Sequence, residues 1–409
     1  MRFAHMADCH IGSWSNPSMR ELSILAFEKA CSICIDKKVD FVLICGDLFN
    51  TPLPDIELLE RTIRSLQKLR QNSIEVYLIA GSHDFSASNK TFLRILSGIG
   101  LINNATRLAG SDSEKIRLDF LLDEKTGAKI TGLLGKRNAL DSELYQSLDR
   151  SLLEKEGGFR IFMFHNAVSE LLPKRFSKIS GMPLSLFPRG FDYYAGGHVH
   201  YVDEKDMEGY GLFVYPGPLF PSGFDELKTL VSGGFFIANV DEKDSGGSPV
   251  SLERVKIMLK NVRCFDFDCN GKNPEEINAE VFSAIEGEEF FDTIVLMSFY
   301  GKISGSLKGI EFSSFSKTAE KKSAFFVMRS TSKLESSEFK EMFVENRTPE
   351  EIEKDIIDSN LGKLFDDKEK ERIFIKSLIS VLSLDKSELE KEKQFQERLS
   401  QNLKSLLSD

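Results

Sequence analysis

Histidine is missing from the C-terminal half of this chain: of 409 residues, all six histidines lie at or before position 200. Imidazole-based metal binding and acid–base work are therefore excluded from everything that follows. Long apolar runs are missing as well. No stretch approaches the ~20 residues that a membrane helix needs, and Asp8 and His10 interrupt any apolar signal-peptide core. Cysteine is sparse and scattered, at positions 9, 31, 34, 45, 264 and 269, which is not a disulfide framework. A reduced, cytoplasmic protein is expected. Cys31 and Cys34 lie on a helical pattern with no second Cys or His pair nearby, so no zinc site is expected there. No Gly-x-x-x-x-Gly-Lys-Ser/Thr occurs, so any use of ATP must come from a partner. Basic excess is absent too. A formal net charge of −10 argues against a passive polyanion-binding surface, although bound divalent cations would invert the field locally.

A hydrophobic content of 41% and a charged content of 28% suit a soluble protein of two or three domains with a real core. Residues 1 to about 240 alternate β-like and helix-like segments, the sign of a layered α/β domain. Five of the histidines sit where an apolar run stops. Phe3-Ala4-His5-Met6-Ala7 ends in Asp8-Cys9-His10, and Phe41-Val42-Leu43-Ile44-Cys45 ends in Gly46-Asp47. Val76-Tyr77-Leu78-Ile79-Ala80 ends in Gly81-Ser82-His83-Asp84. Ile161-Phe162-Met163-Phe164 ends in His165, and Tyr193-Tyr194-Ala195 leads through Gly196-Gly197 to His198-Val199-His200. His5 lies inside its strand and reads as structural. In an open α/β sheet the carboxyl ends of the strands face one crevice, where ligands bind. Asp8-x-His10 and His198-x-His200 each place two side chains on one side of an extended segment. The pattern predicts one metal site built from five loops, with types and numbers that suit a two-metal centre.

A second unit, over 246–332, reads as a small α+β domain without catalytic residue types. Leu252–Phe267, Thr293–Tyr300 and Ala324–Arg329 are its predicted strands, and Pro274-Glu275-Glu276 opens a helix. Residues 333–409 read as a charged helical tail. Thr348-Pro349-Glu350-Glu351 is its helix start, and Phe395, Leu399, Leu403 and Leu406 form an apolar stripe that must pack on something.

The set Asp8-x-His10, Gly46-Asp47, His83-Asp84, His165 and Gly-His198-x-His200 resembles the calcineurin-like metallophosphoesterase superfamily. Within it, Asp8-Cys9-His10-Ile11-Gly12, Gly46-Asp47-Leu48-Phe49 and Tyr215-Pro216-Gly217 resemble SbcD-type, or archaeal meiotic-recombination-eleven-type, DNA repair nucleases. The resemblance covers residues 1 to about 240, within a nuclease domain over 1–245; beyond that only the order of a capping domain and a helical tail matches. It implies an α/β, four-layer-type sandwich of two mixed sheets flanked by helices. It implies two Mn2+ ions per chain, one on Asp8, His10 and His200, the other on His165 and His198, with Asp47 bridging. His83 would stabilise the transition state and protonate the leaving 3′ oxygen, while Asp84 caps its loop or supports the ligands from behind. It further implies a 3′→5′ exonuclease and single-strand endonuclease that acts on DNA ends and single-stranded DNA. Its partner would be an SMC-like ABC ATPase of SbcC type, bound by the C-terminal helices. The apolar stripes Ile56–Leu66 and Phe92–Leu96 are core by default, and in the resembling family such helices form a homodimer. Lys136, Arg137, Lys174 and Arg175 follow strands and are candidates for DNA phosphates. Two rival readings are a phosphomonoesterase or small phosphodiesterase of the same superfamily, and an end-binding scaffold with weak activity.

One position departs from the family pattern. Where the resemblance implies an Asn amide ligand for the second ion, this chain has Ser82. A neutral hydroxyl is shorter and a poorer ligand, so weaker occupancy of the second position is expected. The Ser82→Asn variant should therefore cleave DNA faster in manganese than the unaltered chain; equal rates would remove Ser82 from the ligand set.

Overall fold

Strands that are apolar throughout need cover on both faces, and here two six-stranded mixed sheets cover each other. The computed structural model describes residues 1–85, 91–109, 115–135, 140–173, 181–241 and 250–336. Beyond these it describes residues 358, 361, 367–382, 398, 400–402 and 405. The first sheet runs Val250–Ile257, Gly233–Val240, Arg2–Met6, Phe41–Cys45, Glu75–Ile79, Asn103–Asn104. Its last four strands are parallel and its first two pairings antiparallel. The second sheet runs Val202–Met207, Gly211–Pro216, Tyr193–Gly197, Arg160–His165, Lys129–Gly132, Leu121–Leu122, parallel in its middle and antiparallel at both edges.

The strand period of two sorts these side chains into three cores. Phe3, Phe41, Leu43 and Ile79 meet Ile161, Met163, Tyr193 and Val214 between the sheets. Ala4, Met6, Val42, Ile44 and Leu78 face outward onto the helices Pro17–Asp36 and Ile56–Gln71, which bury Phe27, Leu66 and Leu69 against them. On the far side Phe162, Phe164, Tyr194 and Phe213 pack with Tyr145, Phe187 and Phe191. The result is the expected four-layer α/β sandwich. His5 belongs to its middle. One ring nitrogen accepts from the Tyr193 hydroxyl at 3.0 Å and the other donates to the Gly196 carbonyl at 3.1 Å, and burial holds its pKa down near 3.

The segment 252–267 is two strands rather than the single one its sequence suggests. Val250–Ile257 adds an edge to the first sheet, and Asn261–Asp268 starts a third, all-parallel sheet with Thr293–Ile303 and Ala324–Ser336. Helices Pro274–Glu286 and Phe312–Lys321 cover one face of this sheet over Val295, Met297 and Phe299. Its other face sends Ile294 and Leu296 into the same apolar cluster as the first sheet's helices. The chain divides into two units, 1–338 and 339–409. In the second, a helix spans Lys368–Leu382. The helix start at Thr348 and the stripe Phe395, Leu399, Leu403 and Leu406 fall outside the described residues. Among the described residues no helix is long and apolar enough to cross a membrane.

The Tyr193 hydroxyl is the partner that satisfies a fully buried histidine nitrogen. Tyr193→Phe should lower the unfolding free energy by about 1–3 kcal/mol, the cost of stranding one buried polar atom, in urea unfolding of the metal-free protein.

Candidate metal centre

The carboxyl ends of Arg2–Met6, Phe41–Cys45 and Glu75–Ile79 in one sheet, and of Arg160–His165 and Tyr193–Gly197 in the other, open on the same side. The five loops anticipated from sequence meet there. Asp8, His10, Asp47, His198 and His200 all have positive φ, at 49°, 41°, 51°, 88° and 40°. Non-glycine residues seldom adopt that region, and such backbone persists where the surroundings over-determine it. Two glycines make the convergence sterically feasible. A Cβ on Gly46, itself at φ 83°, would stand 2.0 Å from His165 Nδ1, and one on Gly81 would stand 2.2 Å from Asp47 Oδ1.

Three overlapping clusters bring potential ligand atoms within 4.8 Å of one another: Asp8, His10 and His200; His10, Asp47 and His83; Asp8, Asp47 and His165. Asp47 Oδ2 lies 3.2 Å from His165 Nε2 and 3.6 Å from His10 Nε2. Asp8 Oδ1 lies 3.6 Å from His200 Nε2 and 3.9 Å from His165 Nε2. His10 Nε2 and His200 Nε2 are 3.0 Å apart. Two ring nitrogens so close either share one proton or turn both lone pairs on a cation. Three of the histidines are tied through Nδ1, which leaves Nε2 to face the centre. His165 Nδ1 donates to the Cys45 carbonyl at 2.8 Å, His83 Nδ1 to the Asn50 carbonyl at 3.0 Å, and His200 Nδ1 to the Glu226 carboxylate at 2.8 Å. This is the arrangement that fixes tautomer and ring orientation in histidine metal ligands. The donor set fits a pair of divalent ions with a shared carboxylate.

The electrostatics agree with that fit. Burial pulls His165 and His200 down, but the carboxylates outweigh it. Asp47 lifts His165 to about 9, and Asp8 with Glu226 lifts His200 to about 10. Burial works against the Asp47 charge, yet His165 and His10 hold its carboxyl well below the usual range. Protons thus stand in for cations. Asp84 takes a different role. It is buried, accepts from the backbone N–H groups of Gly81 at 2.9 Å and Phe49 at 3.3 Å, and is raised to about 7 by burial and by Asp47. It caps the His83 loop.

Other expected residues are placed less centrally. His198 lies outside the three clusters, its ring 5.2 Å from the His165 ring, and burial lowers its pKa to about 4 although the residue as a whole is partly exposed. Its backbone N–H donates to both oxygens of Asp8 at 3.0 Å. His83 sits nearer the ligands than its expected role required, since its ring joins a cluster with His10 and Asp47, and its backbone N–H donates to Asp47 Oδ1 at 2.8 Å. Ser82 is half-buried between Gly81 and His83 on the same loop. Lys136, Arg137, Lys174 and Arg175 fall outside the described residues. Glu226 was not anticipated. It stands in the first turn of Phe224–Leu230 beside Asp225, and nothing in the sequence separates the two acids.

Residues 1–202 match the calcineurin-like phosphoesterase family. The chain is similar to that family over this N-terminal stretch. It is also similar to three archaeal proteins named DNA double-strand break repair protein Mre11. The protein of Archaeoglobus fulgidus is 26% identical over 56% of this chain, and the match spans 53% of its own length, about half. That of Methanococcus maripaludis is 27% identical over 64% of this chain and 68% of its own length. That of Methanocaldococcus jannaschii is 26% identical over 72% and 80%. The matched residues include Asp8, His10, Asp47, His83, His165, His198 and His200, whereas Glu226 lies beyond them.

A cation taken up at this centre would displace the protons on His165 and His200, so its affinity should rise with pH. Both groups are raised, so each favours the protonated, metal-free fold until pH passes its folded value. Manganese at about 100 times its dissociation constant should stabilise the protein by about 2.7 kcal/mol. At a fixed manganese concentration the gain should be larger at pH 8 than at pH 6 in thermal unfolding with and without chelator. A gain independent of pH would contradict the proton-for-cation exchange.

Proposed function

We propose that the chain is a manganese-dependent DNA nuclease of double-strand-break repair, a 3′→5′ exonuclease and single-strand endonuclease. The observation that carries this reading is the convergence of His10, His165 and the His83 N–H on the single carboxylate of Asp47, in a chain similar to Mre11 repair proteins. Asp8, His10 and His200 would hold one ion and His165 and His198 the other, with Asp47 shared and Ser82 a weak contributor. Ions held there would supply positive charge against a phosphodiester and lower the pKa of an attacking water. His83, tethered through Nδ1, turns its Nε2 to the phosphate and delivers a proton to the leaving 3′ oxygen.

The rest of the chain supports a macromolecular substrate. A small phosphate ester needs neither the third sheet nor the helical tail. We assign the tail to an SMC-like ABC ATPase, and the helix Lys368–Leu382 exposes Ile373. We assign a homodimer contact to the exposed residues Ile56 at the start of the helix Ile56–Gln71, Ile95 on the helix Leu93–Gly98 and Ile99 just after it. His83→Ala should lower cleavage of single-stranded DNA in manganese by about 10²–10⁴-fold, the range for one acid–base group, with the manganese content unchanged. Cleavage of bis-p-nitrophenyl phosphate without any cleavage of DNA would favour the small-ester reading instead. Manganese binding without either activity would favour the scaffold.

A further inference from the structure

The short helix Phe224–Leu230 touches both the metal centre and the third sheet, and does so with adjacent residues. Glu226 Oε1 accepts from His200 Nδ1 at 2.8 Å, while its Oε2 accepts from the Ser222 N–H at 2.8 Å. The carboxylate is thereby fixed from its own chain and fixes the imidazole in turn. Leu227 is buried in the cluster that also holds Ile294 and Leu296 of the third sheet. Lys228 reaches the other way, to the carboxylate of Asp266 and to Ser298 Oγ at 2.9 Å, both on strands of that sheet. A cleft of about 420 Å³ follows the seam, lined among others by Phe224, Lys228, Asp266 and Ser298.

We propose that this helix couples the seating of the third sheet to the His200 side of the metal centre, with Glu226 as the residue that positions His200. The inference rests on the reading that Asp8, His10 and His200 hold a cation; it does not require that the substrate be DNA. Its physical content is geometric. The helix has only seven residues, too few to flex between its two sets of contacts. A shift of the sheet that drags Lys228 must therefore carry Glu226 with it and loosen a 2.8 Å hydrogen bond on a ligand. Carboxylates that orient metal-bound histidines typically change metal affinity by about 10–100-fold when removed. The coupling is reciprocal by thermodynamic necessity. A ligand that shifts the third sheet changes ion retention at His200, and ion binding there changes the affinity for that ligand. The sheet's distance from the catalytic loops then becomes a means of control.

The test measures Mn2+ affinity of the full chain by titration calorimetry, with the metal-free melting temperature recorded for each variant. Glu226→Gln should weaken one of two ions by about 10–100-fold. Lys228→Met and Asp266→Asn touch no ligand, and each should weaken that same ion by about 5-fold or more, the lower end of ordinary coupling between sites. The double variant Glu226→Gln with Lys228→Met should lose less than the product of the single effects, because both act through one contact. Asp266 lies on the exposed side of the clamp, so its variant reports even where Glu226→Gln unfolds. Unchanged affinity in Lys228→Met and Asp266→Asn would overturn the coupling, and unchanged affinity in Glu226→Gln would overturn the positioning role. A wild type that binds no manganese overturns both this inference and the metal reading beneath it. A wild type that binds two ions, responds as described and leaves DNA intact overturns the nuclease reading alone.

Discussion

Two carboxylates buried almost completely, Asp8 and Asp47, set the terms for the rest of the structure. An isolated carboxylate taken out of water costs far more than a domain can absorb unless it is paired or coordinates a cation. The protein answers with imidazoles rather than lysines or arginines. His165, His10 and His200 surround the two acids within 4 Å; His165 and His200 carry the compensating protons, while burial holds His10 down near 4. A lysine or arginine in their place would neutralise the acids permanently. Histidine does so only while protonated, and leaves a lone pair when a cation replaces the proton. The cluster is therefore balanced without metal yet not locked against it.

That balance explains why the sandwich has two sheets. One sheet would bring Asp8, Asp47 and the His83 loop to a common edge but would leave their other side to water. The second sheet delivers His165 and His198-Val199-His200 across the gap, and the shared core of Phe3, Phe41, Met163 and Tyr193 sets its spacing. The left-handed backbone at five of the site residues is stored at the strand ends, and the rigid cores behind them hold it there. Gly46 and Gly81 permit the approach because any side chain would collide with His165 or Asp47. Packing, backbone strain and ligand geometry are thus one arrangement seen at three scales.

The strand ends were legible because polar residues that chemistry needs interrupt apolar runs that burial needs. His10, Asp47, His83, His165 and His200 each follow such a run, but the expected two-residue phase of Asp8-x-His10 and His198-x-His200 does not hold, because the strands end before them and their backbone is left-handed rather than extended. The helices Pro17–Asp36 and Ile56–Gln71 were legible from their spacing. The division of 252–267 was not, because Met258, Leu259 and Lys260 carry neither glycine nor proline to mark a turn. Glu226 was illegible for a different reason. Its partner His200 is 26 residues away, and one more acid in a chain of net charge −10 carries no local signal. Pattern finds residues that break the rule of their own segment; it misses those whose importance is a single long-range contact.

Asp84 shows how far such contacts reach behind the ligands. Its carboxylate takes the N–H groups of Gly81 and Phe49, and so joins the Asp47 loop to the His83 loop without facing the cleft. A proton on Asp84 spares the centre a third buried charge beside Asp47. A cation at Asp47 would weaken that repulsion and favour the ionised form, which accepts the same two N–H groups more strongly. Loading the centre then tightens the loop that carries His83. On the proposed reading, His83 would be held most firmly once a cation sits at Asp47.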